Sequence, residues 1–294
     1  MASLRDIKRR IGSVKSTQKI TNAMKLVSAS KFAKASHAVQ AARPYGEAFN
    51  RMVANLLAAD SGEISSPLIE VRDERKVLVV IVGTDRGLCG GLNANVFKKA
   101  GSFIDEQLGK NVKVGIAAWG RRSISFSKRY ENQPVQELEK VLENANPAYA
   151  VERAQDLIKQ FSDGDWDAVY IVFPRFKSAL DQEPTLKKIL PLTLDTGEGS
   201  DATEEAADAG SYIIEPGIAE MITPLLSRVV MQTIFNALLE GAASEHGARM
   251  TAMDSATNNA KDVTKKLTLV YNRARQAAIT TELTEIISGA EALN

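Results

Sequence analysis

The sequence predicts an α/β protein: two long terminal helices that pair as an antiparallel coiled coil, and between them a central Rossmann-like α/β domain with a mostly parallel sheet. Three observations carry that expectation. The first proline is Pro44 and the last is Pro224, so both ends of the chain can sustain unusually long helices. A strict four-three walk visits His246, Met250, Met253, Thr257, Ala260, Thr264, Leu267, Tyr271, Ala274 and Ala278, which is the spacing of a coiled-coil seam. In the middle, "KVLVVIVG" (Lys76–Gly83), "VKVGIAAWG" (Val112–Gly120) and "DAVYIVF" (Asp167–Phe173) are β-branched apolar runs, the mark of parallel strands buried on both faces.

In chain order, Ser3 is the expected N-cap of the first helix, with Asp6 three residues later giving a capping-box pattern. Leu4, Ile7, Ile11 and Val14 begin its stripe, and Ala23, Met24, Val27 and Phe32 continue it with smaller residues between. Pro44 removes one helical hydrogen bond and should bend the helix. Beyond it Phe49, Met52, Val53, Leu56 and Leu57 resume the spacing, and Asp60-Ser61-Gly62 ends it. Helices are expected over Asn93–Leu108 and Ala148–Phe161, and "KKILPLTL" supplies an edge strand, where Pro191 is tolerated. Strand–helix–strand alternation implies right-handed crossovers. The stretch 195–210 carries six acids and no base and reads as a disordered loop. The implied division is 1–60, 61–210 and 211–294. Sixty helical residues would span ~90 Å, and a helix of that length needs a partner along it. The opposite terminal helix is the only segment long enough.

The 294 residues are 44% apolar and 25% charged, with a net charge of +1. Such balance gives no whole-chain pull toward nucleic acid. Locally, residues 1–34 hold nine Lys or Arg against Asp6 alone. That basic start has the look of a mitochondrial presequence, but its pattern runs past forty residues with no small-residue cleavage context. The lone Cys89 excludes an internal disulfide and fits a reducing compartment. No run of about 18 apolar residues is present, so no bilayer span is expected.

"TDRGLCGGLNAN" (Thr84–Asn95) follows the first strand and opens a helix, the place where nucleotide folds cradle phosphate. Neither GxGxxG nor GxxxxGK[ST] is present, so the alternative is a tight turn whose glycines allow close packing. Cys89 has no nearby His to activate it. His37 and His246 lie on opposite terminal helices without ligands at metal spacing, and no GxSxG elbow occurs. No catalytic, cofactor or metal residues are therefore expected. The basic first helix admits three readings: a solvated face, a nucleic-acid surface, or a stripe that meets an acidic protein surface.

Three blocks make the sequence recognisable. "RDIKRRIGSVKSTQKITNAMKLVSASKFAKA", "TDRGLCGGLN" and "EHGARMTAMDSATNNAKDVTKKLTLVYNRARQAAITTELTEIISGAEAL" resemble, in order and over essentially the whole chain, the γ subunit of F-type ATP synthases. The resemblance implies a non-catalytic rotor shaft inside a hexamer of α and β subunits. Its α/β foot would lie beside the ε subunit and the membrane ring of c subunits. Met24, Arg275, Gln276, Thr280 and Glu285 match positions that engage β, and the basic Arg9, Arg10, Lys25 and Lys31 would face acidic loops of the head. Tyr212 and Glu215, in "SYIIEP", would approach the c ring and ε. Residues 217–230 match by pattern alone, leaving the start of the last helix open. A two-cysteine redox switch of the chloroplast kind is missing. Met1 leading directly into the first helix suggests a bacterial protein, peripheral on the cytoplasmic face of the plasma membrane. The polar "RARQAAITTELTEIISG" (273–289) then reads as a bearing surface that makes and breaks contacts with successive subunits.

Overall fold

The computed structural model describes residues 3–59, 66–130, 134–192 and 218–291. The elements run α1 (Leu4–Ala59), β1 (Lys76–Val82), α2 (Leu92–Gly109), β2 (Lys113–Trp119), α3 (Arg121–Ser127), β3 (Gln136–Leu138), α4 (Pro147–Ser162), β4 (Ala168–Phe176), β5 (Gln182–Leu190) and α5 (Ile218–Glu291). By internal contacts the chain forms two units, residues 1–29 with 249–294 and residues 30–248. Helices α1 and α5 contribute to both.

The larger unit is built on a five-stranded sheet in the order β3-β2-β1-β4-β5. Strands β1 to β4 are parallel, and β5 returns antiparallel along β4. Strand β1 is central, and its side chains alternate between two cores. Leu78, Val80 and Val82 face one, with α4, the later part of α1 and Ile222, Leu226, Val230 and Ile234 of α5. Val77, Val79 and Ile81 face the other, with Val96, Ala100 and Ile104 of α2 and Phe126 of α3. Burial on both faces explains why this strand reads as an unbroken apolar run. Each such side chain removed from water contributes about 1.5–3 kcal/mol.

Both predicted crossover helices are present, extended by about a residue at each end. This unit holds two elements that the sequence did not announce, the seven-residue helix α3 and the three-residue strand β3. The edge strand is also displaced. It begins at Gln182 and stops at Leu190, so Pro191 lies just past it, and β4 and β5 form a hairpin with Phe176 opposite Gln182. Pro184 is accommodated because β5 is an edge. Among the described residues, α1 continues through Pro44 and α5 through Pro224 without interruption. One 18-residue window of α5 reaches mean hydropathy 1.3, the level of a membrane span, and 44% of that window is buried within the protein. The packing of Ile222, Leu226, Val230 and Ile234 in the core beside the sheet accounts for that apolarity.

Candidate functional site

The smaller unit is a two-helix antiparallel pair. Ser3 caps α1 as expected: the Asp6 amide donates to Ser3 Oγ at 3.2 Å, and the hydroxyl donates to the Asp6 carboxylate at 2.8 Å. Two cross-helix contacts fix the register. The hydroxyls of Thr21 and Thr257 meet at 2.8 Å, and Lys25 Nζ donates to the Asp254 carboxylate at 2.6 Å. Extending that register sets Val14 against Thr264, Ile11 against Leu267, Ile7 against Tyr271 and Leu4 against Ala274. On α5 the buried or half-buried positions from Met250 to Ala278 include every member of the four-three walk in this unit.

On α1 the seam departs from the expected stripe after Val14. It passes through Gln18, Thr21, Lys25, Ser28 and Phe32, while Ala23 is exposed and Val27 is 59% exposed. The physical reason is period. A facing helix selects residues every 3.5 positions, and that step lands on polar residues here, whatever their hydrophobicity. Thr21 and Ser28 are small enough to be buried, at 8% and 3% exposure.

The residues singled out on these helices lie as follows. Met24 is half-buried beside the seam. Arg275, Gln276, Thr280 and Glu285 are all exposed, and the Thr280 hydroxyl donates to the Gln276 carbonyl at 3.0 Å. Arg9, Arg10 and Lys31 are exposed, with Arg9 paired to Asp6. Lys25 is committed to Asp254, so it holds the register as well as carrying charge. Tyr212, Glu215 and the acidic stretch 195–210 lie outside the described residues. After Ala278 no residue through Gly289 is even half-buried, since in this register none of them faces a described residue of α1. Ile279, Leu283, Ile286 and Ile287 are therefore exposed apolar residues on an unpaired stretch of helix.

In the larger unit the glycine-rich turn follows β1. It is closed internally: the Thr84 amide donates to Asn93 Oδ1 at 3.1 Å, and Asn93 Nδ2 donates to Thr84 Oγ1 at 2.8 Å. Gly90 sits at φ 58°, a conformation in which glycine is unstrained. The order reversal between β1 and β4 is where folds of this class bind ligands, beyond the carboxyl ends of the strands. Here α5 packs against that edge. A side chain at Gly241 would press on Leu142 and Val82, Ser244 Oγ donates to the Pro174 carbonyl at 3.1 Å, and Ala248 packs with Cys89 and Leu92. Cys89 is 2% exposed. The turn is a tight, internally hydrogen-bonded strand–helix connection on this side. At the turn itself a cleft of about 530 Å³ is lined by Gly87, Gly90, Asn93, Lys98, Arg122 and Arg129, among others.

Against this geometry the comparisons with known proteins are decisive. The family model for ATP synthase matches residues 3–293. The ATP synthase gamma chain of Geobacter metallireducens is 44% identical over 293 residues, covering 100% of this chain and 99% of that protein. The chain belongs to the ATP synthase gamma-chain family. The gamma chains of Geotalea daltonii, 45% identical over 297 residues, and Erythrobacter litoralis, 44% identical over 298, match over the same extent. The fold agrees with distant family structures. A chain of the Euglena gracilis mitochondrial ATP synthase superposes with a TM-score of 0.66 at 19% identity, covering 99% of this chain and 94% of that one. One from the central stalk and c ring of the Tetrahymena thermophila enzyme gives 0.61 at 21%, covering 81% and 99%.

Sequence reading missed the polar half of the α1 seam and the tie between Arg43 and Glu240, 3.6 Å apart. The first was available from a strict heptad count that ignored hydrophobicity. The second had no local signal, since its partners are far apart in sequence.

Proposed function

We propose that this chain is the central-stalk rotor subunit of a bacterial proton-translocating ATP synthase. It would couple rotation of the c ring to conformational change at the catalytic sites of the α/β head, without catalysing anything itself. The carrying observation is the full-length match to gamma chains, joined to a coiled-coil unit whose exposed surface bears the family's contact positions. On this reading residues 1–60 and 211–294 form the shaft and 61–210 the foot. Met24, Arg275, Gln276, Thr280 and Glu285 contact β as the shaft turns, and Arg9, Arg10, Lys25 and Lys31 pass acidic loops of the head. Tyr212 and Glu215 reach the c ring and the ε subunit. The complex holds the chain at the cytoplasmic face of the plasma membrane.

The exposed helix beyond Ala278 supports the bearing role. Its surface carries Thr280, Glu282 and Glu285 beside a narrow exposed stripe of Ile279, Leu283, Ile286 and Ile287, a face that a surrounding head would cover in turn. A shaft works by differential contact: each angle must favour a different state of the same neighbour. The test is reconstitution. The isolated chain should show no ATPase activity, and α and β with this chain should give hydrolysis that drives proton pumping once membrane subunits are present. A proton-coupled complex assembled without it would overturn the reading.

A further inference from the structure

The last residue of β4 is held in an unusual way. Phe176 N–H donates to Glu240 Oε2 of α5 at 3.1 Å, and its carbonyl accepts from Arg43 Nη2 of α1 at 2.7 Å. Arg43 and Glu240 also face each other at 3.6 Å. The two backbone groups of one strand residue are thus satisfied by opposite charges from the two terminal helices. Charge-assisted hydrogen bonds of this kind are about twice as strong as neutral ones. The Phe176 ring completes the arrangement. It meets Phe32 of α1 edge-on at 5.7 Å and packs with Val39 of α1 and Leu239 and Ala243 of α5. Glu240 is 13% exposed and Arg43 42%, so the carboxylate has little water to compensate its loss. Nearby, Gly46 lets α1 come close to Asn236 of α5.

We infer that Arg43, Glu240 and Phe176 form the joint that makes the sheet and both terminal helices turn together. This rests on the rotor reading above. The three are positioning residues: they touch neither nucleotide nor proton, and act by preventing α1 and α5 from slipping against the sheet. A strand end bound to only one helix would let the other shear. Binding both through one residue removes that freedom, because neither helix can move without breaking a bond to the same residue.

The test uses the whole complex reconstituted in vesicles, with ATP hydrolysis and proton pumping measured per assembled complex. Glu240→Leu keeps the side chain's bulk and removes the acceptor. The expected result is hydrolysis close to wild type with a loss of at least about half of the protons pumped per ATP, since a charge-assisted bond is removed at a nearly buried position. Glu240→Gln retains an acceptor for the Phe176 amide and should restore most of the ratio. Arg43→Met, at a half-exposed position that tolerates change, should lower the ratio in the same direction. If Glu240→Leu blocks assembly, Arg43→Met decides alone. An unchanged ratio in assembled Glu240→Leu or Arg43→Met overturns the joint. A wild-type complex that fails to couple would instead count against the rotor reading.

Discussion

The register of the two-helix unit makes truncation of α5 strongly position-dependent. Ending the chain after Ala278 removes only residues that face no described residue of α1. Ending it after Thr264 also removes Leu267, Tyr271 and Ala274, which face Ile11, Ile7 and Leu4 in the register set by Thr21–Thr257. Ile7 is buried and Leu4 and Ile11 are half-buried. At about 1.5–3 kcal/mol per fully buried aliphatic side chain, and half of that for the partly buried ones, the loss is on the order of 3–6 kcal/mol. The first turns of α1 would then stand alone and fray, since short unpaired helices are marginal. Circular dichroism of the full chain and both truncations, melted in parallel, checks this. The shorter deletion should leave the melting midpoint of the remaining helix unchanged, while the longer one should lower it clearly and remove helical signal beyond the residues deleted. Equal effects from the two deletions would refute the assigned register.

Three further outcomes are expected. Gly115→Ala puts a methyl into the ring of Trp166, which is 7% exposed; overpacking of about 1–3 kcal/mol should lower the melting temperature by roughly 3–10 °C, read by calorimetry. Tyr170 donates to Glu74, which also accepts from Lys188 at 2.7 Å, and burial with that hydrogen bond pushes the phenol well above its ordinary pKa of 10.0. Because the folded value is raised, its stabilising contribution is full below about pH 10 and is lost as pH rises toward the folded value; denaturant titrations at rising alkaline pH should show the decline, and Tyr170→Phe should flatten it. Met24→Lys adds a cation beside Lys25 at a half-buried position, and if β passes closely there it should lower protons pumped per ATP more than it lowers assembly. An unchanged ratio would remove Met24 from the contact set.

The legible parts of this protein were those where one physical requirement acts on a single segment. Strand β1 is buried on both faces, so every residue from Val77 to Val82 is apolar, and the run can mean little else. The α5 seam was legible because its period survived a mixed composition: Thr257, Ala260, Thr264 and Ala274 share only their spacing. The same rule, applied to α1 through hydrophobicity, chose Ala23 and Val27, and the facing helix selected Thr21, Lys25 and Ser28. The pairing of β4 with β5 was hidden because an edge strand needs few apolar residues, and β5 alternates weakly through Glu183, Lys187 and Lys188. The joint at Phe176 was invisible for another reason. Arg43 and Glu240 acquire meaning only after the fold brings them to one strand residue. In the glycine-rich turn, the residues had left open both a phosphate cradle and a packing surface. Packing on Cys89 and Leu92 comes from Ala248, at the other end of the chain, where no local pattern could announce it.

Helix α5 passes through three environments in sequence. From Val229 to Ala248 no residue is exposed. From there to Ala278 one face is covered, and from Ile279 to Gly289 none is. Amide protection should fall in the same order, from exchange that requires global opening to exchange by local fraying. The last segment is near the ~12–15-residue length at which isolated helices are marginal in water. Its helicity is therefore set by whatever encloses it, and its exchange rate is a direct gauge of how tightly that enclosure fits at each moment.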